Sequence, residues 1–262
     1  MIRTIKVKDV ETQILARDHA MAHTYCKGHG IELGAAAHSD FKLPGSINVA
    51  PFSDDPTDDE YHDFILNRDH SVDLCGSYSV VDLRGEAHSI PVPNASQDYV
   101  ISSHVIEHVP DPISAFLEWK RVIRPGGTVL MVFPKRDAAP ADLGRPLTPY
   151  SEFLEDHYLR HTYRTHPREP GHGFRGHYHV FNLGTMIELI TGCNAHFGLG
   201  WDILDMEQTD TRVGNGHTIA LRSGRAVHKT RFLRMDGGGS RIRGLIGRAA
   251  RAIGLRRPGP GI

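Results

Sequence analysis

Short apolar segments with strand character alternate with helical or turn-rich segments through most of this chain. The first five predicted strands are Gly30–Leu33, Ser46–Val49, Ser79–Leu83, Tyr99–Ser102 and Thr128–Phe133. Because such strands alternate with helices, they are expected to form a parallel sheet that carries helices on both faces. This order of elements constrains the fold more than any single residue does.

The segments around these strands complete the predicted architecture. Residues 7–25 and Pro112–Ile123 have helical patterns. Arg124–Gly127 is expected to end the second helix, because Pro and Gly interrupt helices. Residues 51–75 are acidic and turn-rich, and Thr185–Ile190 reads as a short helix.

Two further strands, Trp201–Met206 and His217–Arg222, are expected to close the sheet. The turn Val213–Gly216 between them predicts an antiparallel hairpin at the sheet edge. We therefore expect an α/β, Rossmann-like fold with a mostly parallel seven-stranded sheet.

The expected domain organisation is one domain at 1–224 and a tail at 225–262. A cap insertion rich in His, Pro and Gly is expected at about 134–180. The tail carries nine Arg and one Lys against one acid, Asp236, whereas the whole chain has a formal net charge of −1. Its apolar residues fall on one helical side, which predicts a weak contact with a membrane surface. A frayed, solubilising terminus is the alternative.

Composition excludes several classes of protein. The net charge near zero gives no electrostatic case for binding nucleic acid. Cys26, Cys75 and Cys193 lie far apart, which argues against a disulfide framework and against a zinc site built from cysteines. The chain has no run resembling a signal peptide or a membrane span, so we expect a cytoplasmic protein. The sequence does not determine the oligomeric state.

The first candidate binding motif is Gly30-Ile-Glu-Leu-Gly34. A buried strand followed by a glycine turn brings backbone N–H groups close to a ligand at the carboxyl edge of a sheet. The turn has one glycine, which disfavours an NAD site of the G-x-G-x-x-G type. An ordinary strand and turn is the alternative interpretation.

The second motif extends over residues 85–127. It contains the acid Glu86, the pair Ile90-Pro91, Asp98 before the fourth strand, Glu107-His108 after it, and Arg124-Pro-Gly-Gly127 before the fifth. In this order and spacing, the segments resemble the class I S-adenosylmethionine (AdoMet)-dependent methyltransferases. The resemblance covers roughly residues 25–222.

The resemblance implies that AdoMet is the cofactor and assigns residues to it. Glu32, Gly34 and Ala35 correspond to the motif that holds the methionine portion, and Asn48 to the position near the ribose. Glu86 and Ala87 correspond to the adenine edge, and Ser102 and Ser103 to the segment that lines the cofactor. Two departures stand out: Ala35, Ala36 and Ala37 replace common glycines, and Asn48 replaces the usual acid, whose role Asp54 or Asp55 could take.

The segment His104-Val-Ile-Glu-His108 supports several interpretations. We expect His104 and His108 to be catalytic, because a hydroxyl acceptor needs a general base and histidine is the usual choice. The spacing also matches an inverted zinc-protease helix motif. A Mg²⁺ site is a further alternative, because some quinone-pathway O-methyltransferases have a similar Glu-x-x-Glu-His segment. Histidines held by backbone groups at a helix start would have neither role.

The cap contains six histidines between residues 157 and 179, interleaved with Tyr158, Tyr163, Phe174 and Tyr178. Aromatic rings beside imidazoles suit a sugar or oligosaccharide, so His157, Tyr158, His177 and His179 are the expected acceptor contacts. This block also resembles glycan-associated sugar O-methyltransferases, including those of mycobacterial methylmannose polysaccharide synthesis, which makes a mannoside one candidate acceptor. A phenolic or quinone acceptor, and a non-catalytic AdoMet-binding regulatory protein, are the alternatives.

Overall fold

The structure, a computed structural model, describes residues 21–35, 41, 43–52, 55–57, 61–76, 78–167, 176–210 and 214–224. The basic tail, with its predicted membrane contact, lies outside the described residues, as do Ala36, Ala37 and Asp54. Of the helix predicted over 7–25, residues 21–25 are described, and they are helical. Among the described helices, none is long and apolar enough to cross a membrane.

Seven strands form one sheet in the order β3-β2-β1-β4-β5-β7-β6. Strands β1 to β5 are parallel, and β7 runs antiparallel to both β5 and β6. This is the strand order of the class I methyltransferase fold, so the predicted fold class and the edge hairpin are confirmed. The strands are β1 (Gly30–Leu33), β2 (Ser46–Ala50), β3 (Leu83–Arg84), β4 (Gln97–Ser103), β5 (Ile123–Pro134), β6 (Trp201–Glu207) and β7 (Gly216–Ser223).

Within the described residues, four α-helices accompany the sheet, besides the helical residues 21–25. They are α1 (Tyr61–Cys75), α2 (Pro112–Val122), α3 (Tyr150–Leu159) and α4 (Leu183–Phe197), and two short 3₁₀ helices span Ile106–His108 and Pro140–Asp142. Helix α4 is longer than predicted because Asn182 and Thr185 form a capping box at its start and Gly198 ends it in a left-handed conformation.

Helix α1 lies where the sequence indicates an acidic and turn-rich segment. Its sequence, Tyr-His-Asp-Phe-Ile-Leu-Asn-Arg-Asp-His-Ser-Val-Asp-Leu-Cys, lacks a continuous apolar stripe, so hydrophobic periodicity gives no helix signal. Helix α3 likewise lies within the cap, for which the sequence predicts irregular structure.

Two predicted strand boundaries were wrong for a local reason. Strand β3 covers Leu83–Arg84 and not Ser79–Leu83. The residues before Leu83 do not pair as a strand because the Asn48 side-chain amide holds them, donating to the Val80 carbonyl at 3.0 Å. Strand β5 begins at Ile123 and not Thr128, and its pairing with β4 is irregular in this region. Arg124 extends from the irregular segment to the Asp98 carboxylate at 2.6 Å, which also accepts a hydrogen bond from the His29 backbone N–H.

The core lies on both faces of the sheet, as the strand alternation of β4 illustrates. Val100 packs in the larger apolar cluster with Phe116 and Trp119 of α2, whereas Tyr99 and Ile101 pack in a second cluster that includes residues 21, 22 and 26. The helical layers on the two faces leave the carboxyl ends of the parallel strands as the edge where a ligand can bind.

Candidate active site

A cavity of about 240 Å³ lies at the carboxyl ends of the parallel strands. Five of the predicted site residues line it: Gly34, Glu86, Ala87, His104 and His108. The other lining residues are Leu33, Val49, Pro51, Phe52, Gly85, Val105 and Tyr163. The structure therefore brings together the predicted adenine edge, the glycine turn and the two predicted catalytic histidines.

The glycine turn after β1 is held against the end of β2. Gly34 has a φ of +60°, which favours glycine, and its N–H donates to the Val49 carbonyl at 2.8 Å. The Asn48 amide accepts from the Ala35 N–H at 3.1 Å and donates to the Ala35 carbonyl at 3.2 Å. Asn48 and Ala35 therefore fix the shape of the turn by binding each other.

The remaining predicted cofactor residues lie near the glycine turn but do not line the cavity. Glu32 is buried, and its carboxylate accepts from the Phe41 N–H at 3.1 Å, so it holds the chain that returns toward β2. The Ser102 side chain is fully buried within β4, and Ser103 is half-buried at the end of that strand. Direct contact of these residues with the cofactor stays a prediction.

Helix α2 supports the predicted adenine edge. The Trp119 indole N–H donates to the Ala87 carbonyl at 3.0 Å. Glu118 accepts from the Ile90 N–H at 2.6 Å, and Arg121 donates to the Ile90 carbonyl at 2.8 Å. The Ile-Pro segment of the sequence motif is thus anchored to a helix that is itself packed on the sheet.

The cap reaches the same edge through Tyr163, which the sequence does not single out. The Tyr163 hydroxyl donates to the Glu86 carboxylate at 3.1 Å. The Tyr178 hydroxyl in turn donates to the backbone carbonyl of Tyr163 at 3.3 Å. Tyr163 is one of several aromatic residues in the cap, and nothing in its sequence position distinguishes it from the others.

A buried carboxylate lies behind the two predicted catalytic histidines. Glu107 is fully buried, and its carboxylate lies 3.4 Å from His104 Nδ1 and 3.9 Å from His108 Nε2. The His177 ring packs against the His108 ring at 4.7 Å between centroids, and its Nδ1 lies 2.8 Å from Asp142 Oδ2. We call Glu107, His104, His108 and His177 the Glu107 cluster.

The histidines and the carboxylate shift one another's pKa. Burial lowers the pKa of His104, but its interaction with the nearby Glu107 carboxylate outweighs burial and raises the pKa above its ordinary value. Burial raises the pKa of Glu107, yet His104, His108 and His177 together hold it below the ordinary value. The cluster therefore favours an ionised carboxylate next to an imidazole of increased basicity.

The backbone at His104 is unusual. His104 has a φ of +52°, and its N–H donates to the Val132 carbonyl at 2.8 Å. A non-glycine residue in this region costs about 1–3 kcal/mol, and such strain concentrates at functional sites. The 3₁₀ helix begins at Ile106, so His104 and His108 do not share a helix face, and the zinc-protease alternative loses its geometric basis.

Mg²⁺, the metal considered from the sequence, does not fit this cluster. The ligand atoms of Glu107, His108 and His177 lie within 4.8 Å of one another, but they comprise one carboxylate and two imidazoles. Mg²⁺ takes oxygen ligands in near-octahedral geometry. The donor set therefore favours an acid–base role over a magnesium site.

Two of the predicted acceptor contacts, His157 and Tyr158, line a second cavity of about 450 Å³. His157 Nδ1 lies 3.0 Å from Asp111 Oδ2, and the Ser114 hydroxyl donates to the same carboxylate oxygen at 2.5 Å. The other lining residues are His88, Pro110, Arg160, His161 and Thr162. The ring of His88, which lines this cavity, lies 6.5 Å between centroids from that of Tyr163, which lines the first.

The two remaining predicted contacts lie in different surroundings. His177 is in the Glu107 cluster, whereas His179 is fully buried next to Phe153, with its Nε2 donating to the Pro110 carbonyl at 3.2 Å. Both backbone N–H groups that follow His177, those of Tyr178 and His179, donate to the Glu107 carbonyl.

Comparison with known proteins agrees with this geometry. Residues 69–131 match the family described as a methyltransferase domain. A probable S-adenosylmethionine-dependent methyltransferase of Mycolicibacterium smegmatis is 39% identical over 74 residues, which are 28% of this chain and 29% of that protein. An uncharacterized 37.1 kDa protein in transposon TN4556 of Streptomyces fradiae is 38% identical over 58 residues, 22% of this chain and 17% of that protein. The chain thus spans less than a third of the length of the curated relatives it matches.

Two solved structures are similar over most of the chain at low sequence identity. A possible histamine N-methyltransferase of Thermotoga maritima has a TM-score of 0.46 at 15% identity, covering 82% of this chain and 90% of that chain. A protein of Pyrococcus horikoshii OT3 has a TM-score of 0.47 at 17% identity, covering 85% and 94%.

The matched family is one of methyltransferase domains, and the M. smegmatis relative is described as S-adenosylmethionine-dependent. The strand order is that of the corresponding fold. Residues 69–131 thus match a methyltransferase domain, within a sheet that has the class I methyltransferase strand order.

Proposed function

We propose that this protein is an AdoMet-dependent O-methyltransferase that methylates a hydroxyl group of a sugar or oligosaccharide. The observation that carries the proposal is the pairing of His104 with the buried Glu107 on the wall of the first cavity. An imidazole backed by a carboxylate is a general-base arrangement, and methylation of a hydroxyl requires removal of a proton.

The first cavity offers the features that AdoMet needs. Gly34 leaves space at the end of β1, since a Cβ there would lie 3.1 Å from the Val105 side chain and would occupy the turn. Glu86 and Ala87 also line the cavity, and a carboxylate and a backbone edge suit adenosine. Bound AdoMet supplies an electrophilic methyl group on a sulfonium sulfur, and proximity and alignment account for much of the catalysis of its transfer.

His104 is the better placed of the two candidate bases. Its Nδ1 faces Glu107, which favours the tautomer that carries the proton on Nδ1 and leaves Nε2 to accept one. Nε2 is a buried atom with no hydrogen-bond partner among the described residues. The acceptor oxygen would lose its proton to this atom as the bond to carbon forms. His108, farther from the carboxylate, would contact the acceptor.

The second cavity supports a polyhydroxyl acceptor over a phenol or quinone. Hydrogen-bonding side chains surround it, including Asp111, His157 and Thr162, and its rim carries the rings of His88 and Tyr158. A polyhydroxyl acceptor could add hydrogen bonds to this polar lining, whereas a flat, apolar acceptor could not. We leave the buried His179 out of the proposed acceptor site and keep His157, Tyr158 and His177 in it.

The test of the proposed acceptor class is transfer of a labelled methyl group from AdoMet. We expect labelled product with mannosides or other oligosaccharides and little with catechols or quinols. Labelled product with catechols alone would show that the acceptor is a phenol and not a sugar. Binding of AdoMet without transfer to any member of a broad hydroxyl panel would favour a regulatory binding protein.

Replacing Gly34 by Val should weaken AdoMet binding by about 10-fold or more, because the side chain would project into the cofactor space. Gly144→Val is the matched control: Gly144 also has a positive φ, but a Cβ added to it would meet no other atom within 4 Å. Calorimetric titration with AdoMet measures the difference. Equal affinities in the two variants would contradict the placement of the cofactor.

His104→Ala should lower kcat by about 100-fold while the Kd of AdoMet changes little, because the base acts on the acceptor. His196→Ala, at an exposed histidine of α4, is the control and should retain the wild-type rate. Single-turnover transfer of labelled methyl measures the effect. Near-normal turnover of His104→Ala would remove His104 from the role of base and direct attention to His108.

A further inference from the structure

A second group of histidines surrounds a carboxylate in the cap, apart from the Glu107 cluster. Asp156 Oδ1 lies 2.8 Å from His161 Nδ1 and 3.2 Å from His166 Nε2. The three ligand atoms all lie within 4.8 Å of one another. We call Asp156, His161 and His166 the Asp156 cluster.

The spacing of the cluster along the chain is short and regular. Asp156 is in the last turn of α3, and the two histidines follow at intervals of five residues. Arg160 ends the helix in a left-handed conformation, which lets the His161 N–H donate to the Asp156 carbonyl at 2.9 Å. The His166 N–H donates to the Thr162 carbonyl at 2.9 Å. The backbone therefore directs both imidazoles to one oxygen.

The cluster lies in the interior. The side chains of His166 and Asp156 are 0% and 3% exposed, and that of His161 is 12% exposed. The rings of Tyr178 and His179 pack against His166 at 4.7 and 5.7 Å between centroids. His179 Nε2 also lies 3.7 Å from Asp156 Oδ2, but its hydrogen bond to the Pro110 carbonyl places it outside the ligand set.

We propose that the Asp156 cluster binds a zinc ion through Asp156 Oδ1, His161 Nδ1 and His166 Nε2. Two imidazoles and one carboxylate are a donor set that Zn²⁺ prefers, whereas Mg²⁺ and Ca²⁺ take oxygen ligands. Ligand atoms of a tetrahedral zinc site are about 3.3 Å apart, given Zn–N bonds of about 2.0–2.1 Å. The two carboxylate–imidazole separations, 2.8 and 3.2 Å, are close to this value, and the two imidazole nitrogens lie within 4.8 Å of each other.

The second cavity provides access for the ion and for a fourth ligand. His161 lines that cavity, and the three protein ligands leave one tetrahedral position open. A water molecule or an acceptor hydroxyl would complete the coordination.

The metal would also fix the part of the cap that reaches the cofactor cavity. Tyr163 lies between the two histidine ligands and donates to Glu86. Bound Zn²⁺ would hold the segment 161–166 against α3 and thereby keep the Tyr163 hydroxyl at the adenine edge. This consequence rests on the proposed function, whereas binding of the metal does not.

The test measures metal directly, on the full chain without a histidine tag. After incubation with Zn²⁺ and gel filtration, elemental analysis of the wild-type protein should find about one zinc ion per chain. Asp156→Asn should lower Zn²⁺ affinity by about 100-fold or more. Glu155→Gln, which removes an exposed carboxylate from the neighbouring position of the same helix, should keep the metal.

A second measurement does not depend on the stability of the Asp156 variant. Co²⁺ added to the wild-type protein should give the visible absorption of a tetrahedral site, and His161→Gln should lose it. Failure of the wild-type protein to retain Zn²⁺ or to give this spectrum would overturn the proposal. So would retention of metal by Asp156→Asn and its loss in Glu107→Gln, because the ion would then belong to the Glu107 cluster.

Discussion

The interaction on which the site depends is the burial of the Glu107 carboxylate among histidines. An isolated carboxylate in the protein interior costs several kcal/mol, so a buried and ionised Glu107 requires compensation from His104, His108 and His177. The same residue accepts hydrogen bonds from Tyr178 and the following residue through its backbone carbonyl. Glu107 therefore links the end of β4, the candidate base and the cap.

The histidines of the cap follow one principle: several have a carboxylate partner within the described structure. This pairing explains a composition that would otherwise suggest a solvated loop, because a buried or half-buried imidazole needs a polar partner. One pair joins the Glu107 cluster, one lines the second cavity, and one forms the Asp156 cluster. They are His177 with Asp142, His157 with Asp111, and His161 and His166 with Asp156.

The sequence predicted the fold well because strand patterns and the order of motifs depend on local residues. It could not predict α1, which lacks an apolar stripe, or the short β3, where the Asn48 side chain replaces strand pairing. It named the two histidines that line the first cavity but not Glu107 as the buried carboxylate beside them, although the residue stood between them. The role of Tyr163 depends on a contact with Glu86 across 77 residues, which spacing alone does not reveal.

The central claim is that Glu107 raises the basicity of His104, and the pH dependence of kcat tests it. In the wild-type enzyme, turnover should fall with decreasing pH as His104 becomes protonated, around a pKa above the ordinary histidine value. Glu107→Gln removes the group that raises this pKa and leaves burial, which lowers it. In the Glu107→Gln variant, the fall in kcat at acidic pH should therefore move to lower pH. In the Glu155→Gln variant, it should stay in place. An unchanged limb, or a shift to higher pH, in Glu107→Gln would contradict the account.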